Sequence, residues 1–224
     1  NCNGCEQCVK DCPFDAVSVQ KRTDGKRWEN EVVVQDDLCA SCGICVGSCH
    51  SSNPFRQSDK TLISGIDMPN LPVNDIRNQL KVAVSELKES VADGASKIII
   101  FGCDNAIDFK NFKSTNVAIV NFFCAGMISP TLVEYALKLG VDGVFITGCR
   151  TGDCYFRHGN KWMDERFEGE RKPILRKRAD RTRINVFRAA ETDCVQLKMA
   201  LDEFQECIMQ LNQQERIAED KVEG

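Results

Sequence analysis

Four cysteines in the stretch Cys39-Ala-Ser-Cys42-Gly-Ile-Cys45-Val-Gly-Ser-Cys49 have the spacing that wraps one cubane of iron and sulfide. A loop of the form C-x2-C-x2-C supplies three thiolates to one cluster, and the fourth cysteine, after three intervening residues, ligates a second cluster. This arrangement constrains the chain more than any other feature, because it predicts a second motif and an electron-carrying function.

The second motif stands at the start of the chain as Cys2-Asn-Gly-Cys5-Glu-Gln-Cys8-Val-Lys-Asp-Cys12-Pro13. By the same rule, ligands cross between the motifs. The first [4Fe-4S] cluster is predicted to use Cys2, Cys5, Cys8 and Cys49, and the second [4Fe-4S] cluster Cys39, Cys42, Cys45 and Cys12. Zinc ribbons also pair CxxC units, but they do not need three evenly spaced cysteines plus a fourth, twice. His50 replaces the proline after Cys49, and we expect it near the cluster or at the surface rather than on iron.

The composition places these cysteines in a reducing compartment. The chain has 224 residues, 14 cysteines and a formal net charge of −4. No signal peptide and no apolar run long enough to span a bilayer is visible, so we expect a cytoplasmic chain that reaches a membrane only through partner subunits. No nucleic-acid partner is expected: residues 166–183 are basic but interrupted by acids, which favours a solvated helix or a docking face for an acidic partner.

Four segments are predicted along the chain. Residues 1–53 form an α+β ferredoxin-like two-cluster module, with a hairpin of strands 16–20 and 31–35 around the turn Thr23-Asp-Gly-Lys26. Residues 54–74, with three prolines, read as a linker, of which the part from Ser64 to Pro69 should lie along a surface. Residues 75–213 form an α/β domain with an open parallel sheet, and residues 214–224 form a charged tail that frays.

The α/β domain is predicted from its periodicity. A helical stripe runs from Val73 to Val91, with Asn74 or Asp75 as its cap and Gly94 as its stop. Strands are predicted at residues 97–101, 117–122, 143–147 and 183–187, and helices at residues 129–139, within the basic region 162–180 and at 191–213. Cys194 is placed on the apolar stripe of the last helix and Cys207 beside it, and neither is predicted to be a ligand.

Four further cysteines follow the first three of these strands: Cys103, Cys124, Cys149 and Cys154. Carboxyl ends of parallel strands meet at one edge of a sheet, so we expect these thiols to converge on a third site. Four thiolates suit a [2Fe-2S] cluster, a [4Fe-4S] cluster or structural zinc, and buried free thiols are the plain alternative. We favour an iron–sulfur cluster because the chain already carries two, and we expect His158 to pack or hydrogen bond nearby.

The same residues carry a family resemblance. Phe101-Gly-Cys-Asp-Asn, Cys124-Ala-Gly-Met-Ile-Ser-Pro and Gly143-Val-Phe-Ile-Thr-Gly-Cys-Arg-Thr-Gly-Asp-Cys-Tyr-Phe-Arg-His-Gly-Asn160 resemble the delta subunit of methyl-viologen-reducing hydrogenase over about residues 97–211. The resemblance implies a [2Fe-2S] domain that passes electrons between a hydrogenase and heterodisulfide reductase. Ala106 stands where that family often has a further cysteine, which leaves four candidate ligands.

The order of the two modules is similar to that in fusions of the A-type subunit of heterodisulfide reductase. It is most similar to that in the B-type subunit of the quinone-interacting membrane-bound oxidoreductase, as is the linker from Ile63 to Pro69. This resemblance implies FAD in a domain upstream of Asn1 or in a partner, and partners that are flavoprotein, hydrogenase-like, heterodisulfide reductase-like or quinone-reactive subunits.

No GxGxxG motif, Walker loop or catalytic triad is recognisable in the chain, so no autonomous substrate site is predicted. The leading hypothesis is an electron-transfer subunit or domain of an oxidoreductase complex. Two alternatives stay open at this point: a reductase in which Cys149 and Cys154 act as a thiol pair, and a structural zinc domain that docks a ferredoxin.

Overall fold

The cysteine motifs at the start of the chain surround a small two-stranded sheet. The computed structural model describes residues 2–58, 61–62, 64–92 and 94–223. Strands β1 (Val17–Lys21) and β2 (Asn30–Val34) pair antiparallel with Val17 opposite Val34, which confirms the predicted hairpin to within one residue. The short helices α1 (Gln7–Lys10) and α2 (Ile44–Ser48) carry the third cysteine of each motif, Cys8 and Cys45.

The predicted linker contains more structure than its prolines suggest. A second small hairpin forms from β3 (Gln57–Ser58) and β4 (Thr61–Leu62), which also pair antiparallel. Beyond it the segment lies along the protein as expected: Ile66 is buried beside Cys8 and Val17, and Met68 enters the main core. Ile63, the first residue of the linker motif, lies outside the described residues.

Helix α3 (Val73–Ser90) follows, and its apolar stripe is buried as predicted, but its cap is not Asn74 or Asp75. The helix begins at Val73, so Asn74 and Asp75 already lie inside it. The Asp67 carboxylate instead accepts a hydrogen bond from the Val73 amide, at 2.8 Å. That prediction was wrong since the capping group comes from six residues upstream. Helix α3 also ends at Ser90, ahead of Gly94.

The four predicted strands form one parallel sheet: β5 (Ile98–Cys103), β6 (Val117–Phe122), β7 (Gly143–Gly148) and β8 (Ile184–Arg188). Their order is β6-β5-β7-β8. Every residue of β5 and β7 is buried, which explains why these strands are continuous apolar runs rather than alternating ones. An α/β domain with an open parallel sheet is therefore present.

Helix α4 (Pro130–Leu139) has the predicted bounds, with Ser129 as its N-cap and the left-handed Gly140 as its stop. The helix predicted within the basic region 162–180 does form, but it begins earlier and covers only the first part of that region. Helix α5 runs from Gly159 to Glu168, because Gly169 takes a left-handed conformation and terminates it.

Helix α6 (Cys194–Glu223) is longer than predicted, and the charged tail continues it instead of fraying. Leu197, Leu201, Phe204 and Ile208 form its buried stripe. Cys194, predicted to be in the core, is exposed because it lies at the first residue of the helix, ahead of the stripe; Cys207 is exposed as well. Of the residues described, none belongs to a helix that is both long and apolar enough to cross a membrane.

Candidate metal centres

The first predicted ligand set gathers around Cys8. Electrostatic repulsion from the Cys49, Cys2 and Cys5 thiols helps to raise the pKa of Cys8, so these sulfurs lie near it. Cys49 is among them although it belongs to the other motif. Left-handed Gly4 and Glu6 turn the loop between these cysteines, and the Gly4 amide donates to the Cys2 sulfur at 3.4 Å. Burial raises the pKa of the Cys8 thiol to about 12.

The second predicted set surrounds a cavity of about 430 Å³, lined by Cys12, Cys39, Cys42 and Cys45 together with apolar side chains. The Ala16 amide donates to the Cys12 sulfur at 3.3 Å. Burial raises the pKa of Cys42 to about 11 and raises that of Cys45 as well. Cysteines from both motifs therefore line one enclosed space.

These two sets are suitable for iron–sulfur clusters. All eight motif cysteines are free thiols, which are the ligands of [4Fe-4S] clusters. The two sets adjoin each other, because repulsion from Cys8 of the first set helps to raise the pKa of Cys45 in the second. Glycine at position 65 is required nearby: a Cβ there would lie 3.0 Å from the Cys49 sulfur.

The third set lies at the carboxyl edge of the parallel sheet, as predicted. Cys103 is the last residue of β5, Cys124 follows β6 and Cys149 follows β7. Cys103 lies close enough to Cys124 and to Cys149 for their thiols to shift its pKa, and Cys124 lies close enough to Cys154 for the same effect. The four thiols thus form a continuous row from Cys149 through Cys103 and Cys124 to Cys154.

This edge is also the switch point of the sheet, where open α/β folds bind ligands. The chain places β6 on one side of β5 and β7 on the other. The loops after β5 and β7 therefore run to opposite sides of the sheet, and the thiol row lies at the edge where they part. Among the described residues, no three His, Cys, Asp or Glu side chains converge as a ready-made site for one metal ion. A row of sulfurs suits a cluster, whose several iron atoms each take their own thiolates.

Hydrogen bonding differentiates the thiols of the row. Donation from Cys124 and Cys149 lowers the pKa of Cys103, and donation from Cys124 lowers the pKa of Cys154 to about 6. The pKa values of the donors, Cys124 and Cys149, are raised correspondingly. Backbone amides of Phe156, Gly159 and Asn160 also stabilise the Cys154 thiolate. Cys103 and Cys154 accordingly favour the anionic form of sulfur, which is the form that binds metal.

Two asparagines shape this edge without having been predicted to do so. The Asn160 side chain donates to the carbonyls of Cys149 and Arg150, at 3.3 and 2.9 Å, and so holds the loop that carries Cys149 and Cys154. The Asn105 side chain donates to the Phe123 carbonyl at 2.7 Å and ties the loop after β5 to the loop after β6. Both asparagines stand in the runs that carry the sequence resemblance, Phe101-Gly-Cys-Asp-Asn105 and Gly159-Asn160, and this was the available signal for them.

The two histidines stay off the thiols. His158 is exposed and packs on Trp162, with ring centroids 5.0 Å apart, as expected of a packing residue beside the third site. His50 is exposed at the end of the second motif, and partial desolvation lowers its pKa. Ala106, at the position of the family's additional cysteine, is buried.

The second and third sets meet in one apolar cluster. Cys42, Ile44 and Cys124 are its buried members, and Phe14, Cys154, Phe156 and Trp162 pack around them. Ile44 therefore packs in the same cluster as a ligand candidate of the second set and one of the third. The three cysteine sets therefore adjoin in the order first, second, third.

Two family models match the chain. Residues 1–53 match the 4Fe-4S dicluster domain, and residues 104–212 match the family described as methyl-viologen-reducing hydrogenase, delta subunit. These matches confirm the resemblance to the hydrogenase delta subunit and support the predicted two-cluster ferredoxin-like module.

Curated relatives match over short stretches. The chain is similar to the iron-sulfur subunit of F420-non-reducing hydrogenase vhc from Methanococcus voltae, with 46% identity over 21% of this chain and 34% of the relative. It is similar to the A-type subunit of ferredoxin:CoB-CoM heterodisulfide reductase from Methanosarcina mazei, with 44% identity over 20% of this chain and 6% of the relative. The iron-sulfur subunit of F420-non-reducing hydrogenase from Archaeoglobus profundus is 38% identical over 23% of this chain and 38% of the relative. The matches thus span well under half of each relative.

Proposed function

Because the chain joins a 4Fe-4S dicluster domain to a hydrogenase delta-subunit domain, we propose that it relays electrons within an oxidoreductase complex. The observation that carries this proposal is the shared apolar cluster of Cys42, Ile44 and Cys124. It brings the second [4Fe-4S] ligand set against the third set, so electrons can pass from one to the other without crossing solvent.

The protein's part in this relay is to hold and shield the redox centres. When bound, the clusters supply the one-electron chemistry. The cysteines hold them, the apolar cluster around Ile44 excludes water, and amides such as that of Gly126, 3.4 Å from the Cys124 sulfur, stabilise negative charge on sulfur. Hydrogen bonds to sulfur and burial are the main means by which a protein sets cluster potentials.

For the third site we propose a [2Fe-2S] cluster on Cys103, Cys124, Cys149 and Cys154. Support comes from the number of thiols, their continuous row along the sheet edge and the lowered pKa values of two of them. Cys154 is only partly buried, so it is the thiol through which the third site comes nearest to the surface. At the other end Cys5 is exposed, so each end of the row of sites reaches the surface.

The partners follow from the relatives. Since those relatives are named as iron-sulfur subunits of hydrogenases and as a heterodisulfide reductase component, we propose that the chain works beside other redox subunits of such complexes. It would carry electrons between a flavin or hydrogenase partner and a quinone, disulfide or sulfur-metabolism partner, with FAD in another domain or subunit. A thiol-rich chain of this kind would operate in the reducing cytoplasm.

Anaerobic purification followed by metal analysis and EPR tests the proposal. We expect about ten irons per chain, no zinc, and three distinguishable signals during stepwise reduction with dithionite. Two of the signals should be of the [4Fe-4S] type and one of the [2Fe-2S] type.

Two other results would replace the proposal by its alternatives. About eight irons with one zinc would make the third site structural. Eight irons with Cys149 and Cys154 open to alkylation, and disulfide-reducing activity that is lost in Cys149→Ser, would make the chain a thiol reductase.

A further inference from the structure

A fully buried ion pair joins the two halves of the molecule. Arg166, on α5 of the α/β half, donates to the carboxylate of Asp11 in the ferredoxin-like half at 2.8 Å. Both side chains have 0% exposure. Burying two charges is costly and is tolerated only where each is held by several well-placed partners.

The guanidinium of Arg166 bonds to three separate segments. Besides Asp11, it donates to the Ser48 hydroxyl at 2.6 Å and to the Gly126 carbonyl at 2.7 Å. Each of these segments carries a proposed cluster ligand. Cys12 follows Asp11, Cys49 follows Ser48, and Cys124 precedes Gly126 by two residues. One planar side chain thus connects all three proposed sites.

Backbone contacts beneath this cation leave no room for adjustment. A Cβ at Gly47 of α2 would lie 2.2 Å from the Gly126 carbonyl and 2.8 Å from the Arg166 guanidinium. The helix of the second motif therefore rests directly on the turn that carries Cys124. Any shift between the halves would separate these surfaces and break the bonds of Arg166 together.

A second arginine completes the network from its outer side. Arg171 donates to the other oxygen of Asp11 at 2.7 Å and to Glu165 at 2.5 Å, and its side chain is 25% exposed. Lys161 also reaches Glu165, at 3.9 Å, so three cations face two carboxylates. Like Arg166, Arg171 bridges the two halves through Asp11 and belongs to the same network.

We propose that Arg166 is a positioning residue that locks the ferredoxin-like half onto the α/β half and so sets the spacing between the second and third cluster sites. The consequence for electron flow rests on the relay function proposed above, whereas the lock itself does not. Arginine is suited to the task because its planar fork bonds several acceptors in fixed directions, which the single ammonium of lysine cannot do.

The test compares Arg166→Met, Arg166→Lys and the control Arg183→Met in the full chain, purified anaerobically. Arg183 is also a partly buried arginine, but its bonds to Asp142, Asn212 and Glu215 stay within the α/β half. The first readout is hydrogen exchange at residues 43–48 and 124–128. We expect faster exchange at both segments in the two Arg166 variants and parent-like exchange in the control. Parent-like exchange in Arg166→Met would overturn the lock.

The second readout is the rate at which the third site is reduced after the [4Fe-4S] sites, followed by freeze-quench EPR. We expect the third site to be reduced about tenfold more slowly, or slower still, in the Arg166 variants, because small displacements of reacting centres have large effects on rate. A parent rate in a fully loaded Arg166 variant would overturn the effect on spacing.

Arg166→Met leaves a buried carboxylate short of one partner, so it could fail to fold. In that event Asp11→Leu/Arg166→Met removes both charges, and the same two readouts apply with the same expectations. A parent chain that shows no transfer to the third site, combined with altered exchange in the variants, would refute the relay function while supporting the lock.

Discussion

Gly159 lies against the third site, and replacing it with alanine should prevent that site from loading. A Cβ at this position would be 2.1 Å from the Cys124 sulfur. Non-bonded heavy atoms settle at about 3.5–4.0 Å, so the sulfur would have to move by roughly 1.5 Å. Ligand distances in metal sites vary by only about 0.2 Å. The displacement required is several times what a metal site tolerates.

The cost of Gly159→Ala to stability should be modest in comparison. Overpacking a well-packed interior typically costs about 1–3 kcal/mol. Gly159 is not among the residues with positive φ, so the alanine adds no backbone strain. The matched control is Gly152→Ala in the same cysteine loop, where φ is +91° and nothing lies within 4 Å of the added Cβ. Its left-handed strain costs about 1–2 kcal/mol without touching a thiol.

Iron analysis, EPR and thermal unfolding of the two variants separate these effects. We expect Gly159→Ala to lose about two irons per chain and the third signal, while both [4Fe-4S] signals persist. Gly152→Ala should keep all its iron despite a similar loss of stability. Full iron and an unchanged third signal in Gly159→Ala would refute the placement of Cys124 in the site. Equal iron loss in both variants would refute the steric argument.

Three further outcomes are expected. Cys12→Ser and Cys42→Ser should alter or abolish the same [4Fe-4S] EPR signal and spare the other, because the two thiols line one cavity although they belong to different motifs; effects on two different signals would contradict the crossed ligand sets. Phe204→Ala, which removes a 5% exposed ring packed 5.8 Å from that of Phe145, should lower the free energy of unfolding by roughly 3–5 kcal/mol in thermal or urea unfolding. The control Val195→Ala, on the same helix but 68% exposed, should change it by no more than about 0.5 kcal/mol, and similar losses in both would argue against this core. In the metal-free chain the pKa of Cys154, lowered to about 6, makes it a thiolate above that pH. Its alkylation by iodoacetamide should therefore fall as the pH is lowered from about 7 to about 5, and a rate that does not change over this range would contradict the hydrogen bonding assigned to it.

Much of the site was predictable because its signals are local. Thiolate spacing within twelve residues identifies a cluster loop, and continuous apolar runs identify buried parallel strands. Cysteines that follow such strands can be expected at one sheet edge, and the structure brings Cys103, Cys124, Cys149 and Cys154 there.

Element ends were predicted less well where a distant or single residue decides them. The cap of α3 comes from Asp67 across the preceding loop. Helix α5 begins at Gly159 and is stopped by Gly169, within a stretch whose basic composition is compatible with a longer helix. Charged residues after position 213 resemble a fraying tail, yet they continue α6 to Glu223.

The sequence by itself determined the two cluster motifs, the open parallel sheet and the cysteines at its edge, because short spacings and periodicities encode them. Only the tertiary structure decided how the two halves dock. Asp11 and Arg166 are 155 residues apart, and each belongs to a residue type that usually stays in water. Their burial, and the gathering of Cys42, Ile44 and Cys124 in one apolar cluster, depend on the sum of contacts between whole surfaces, which no local pattern records.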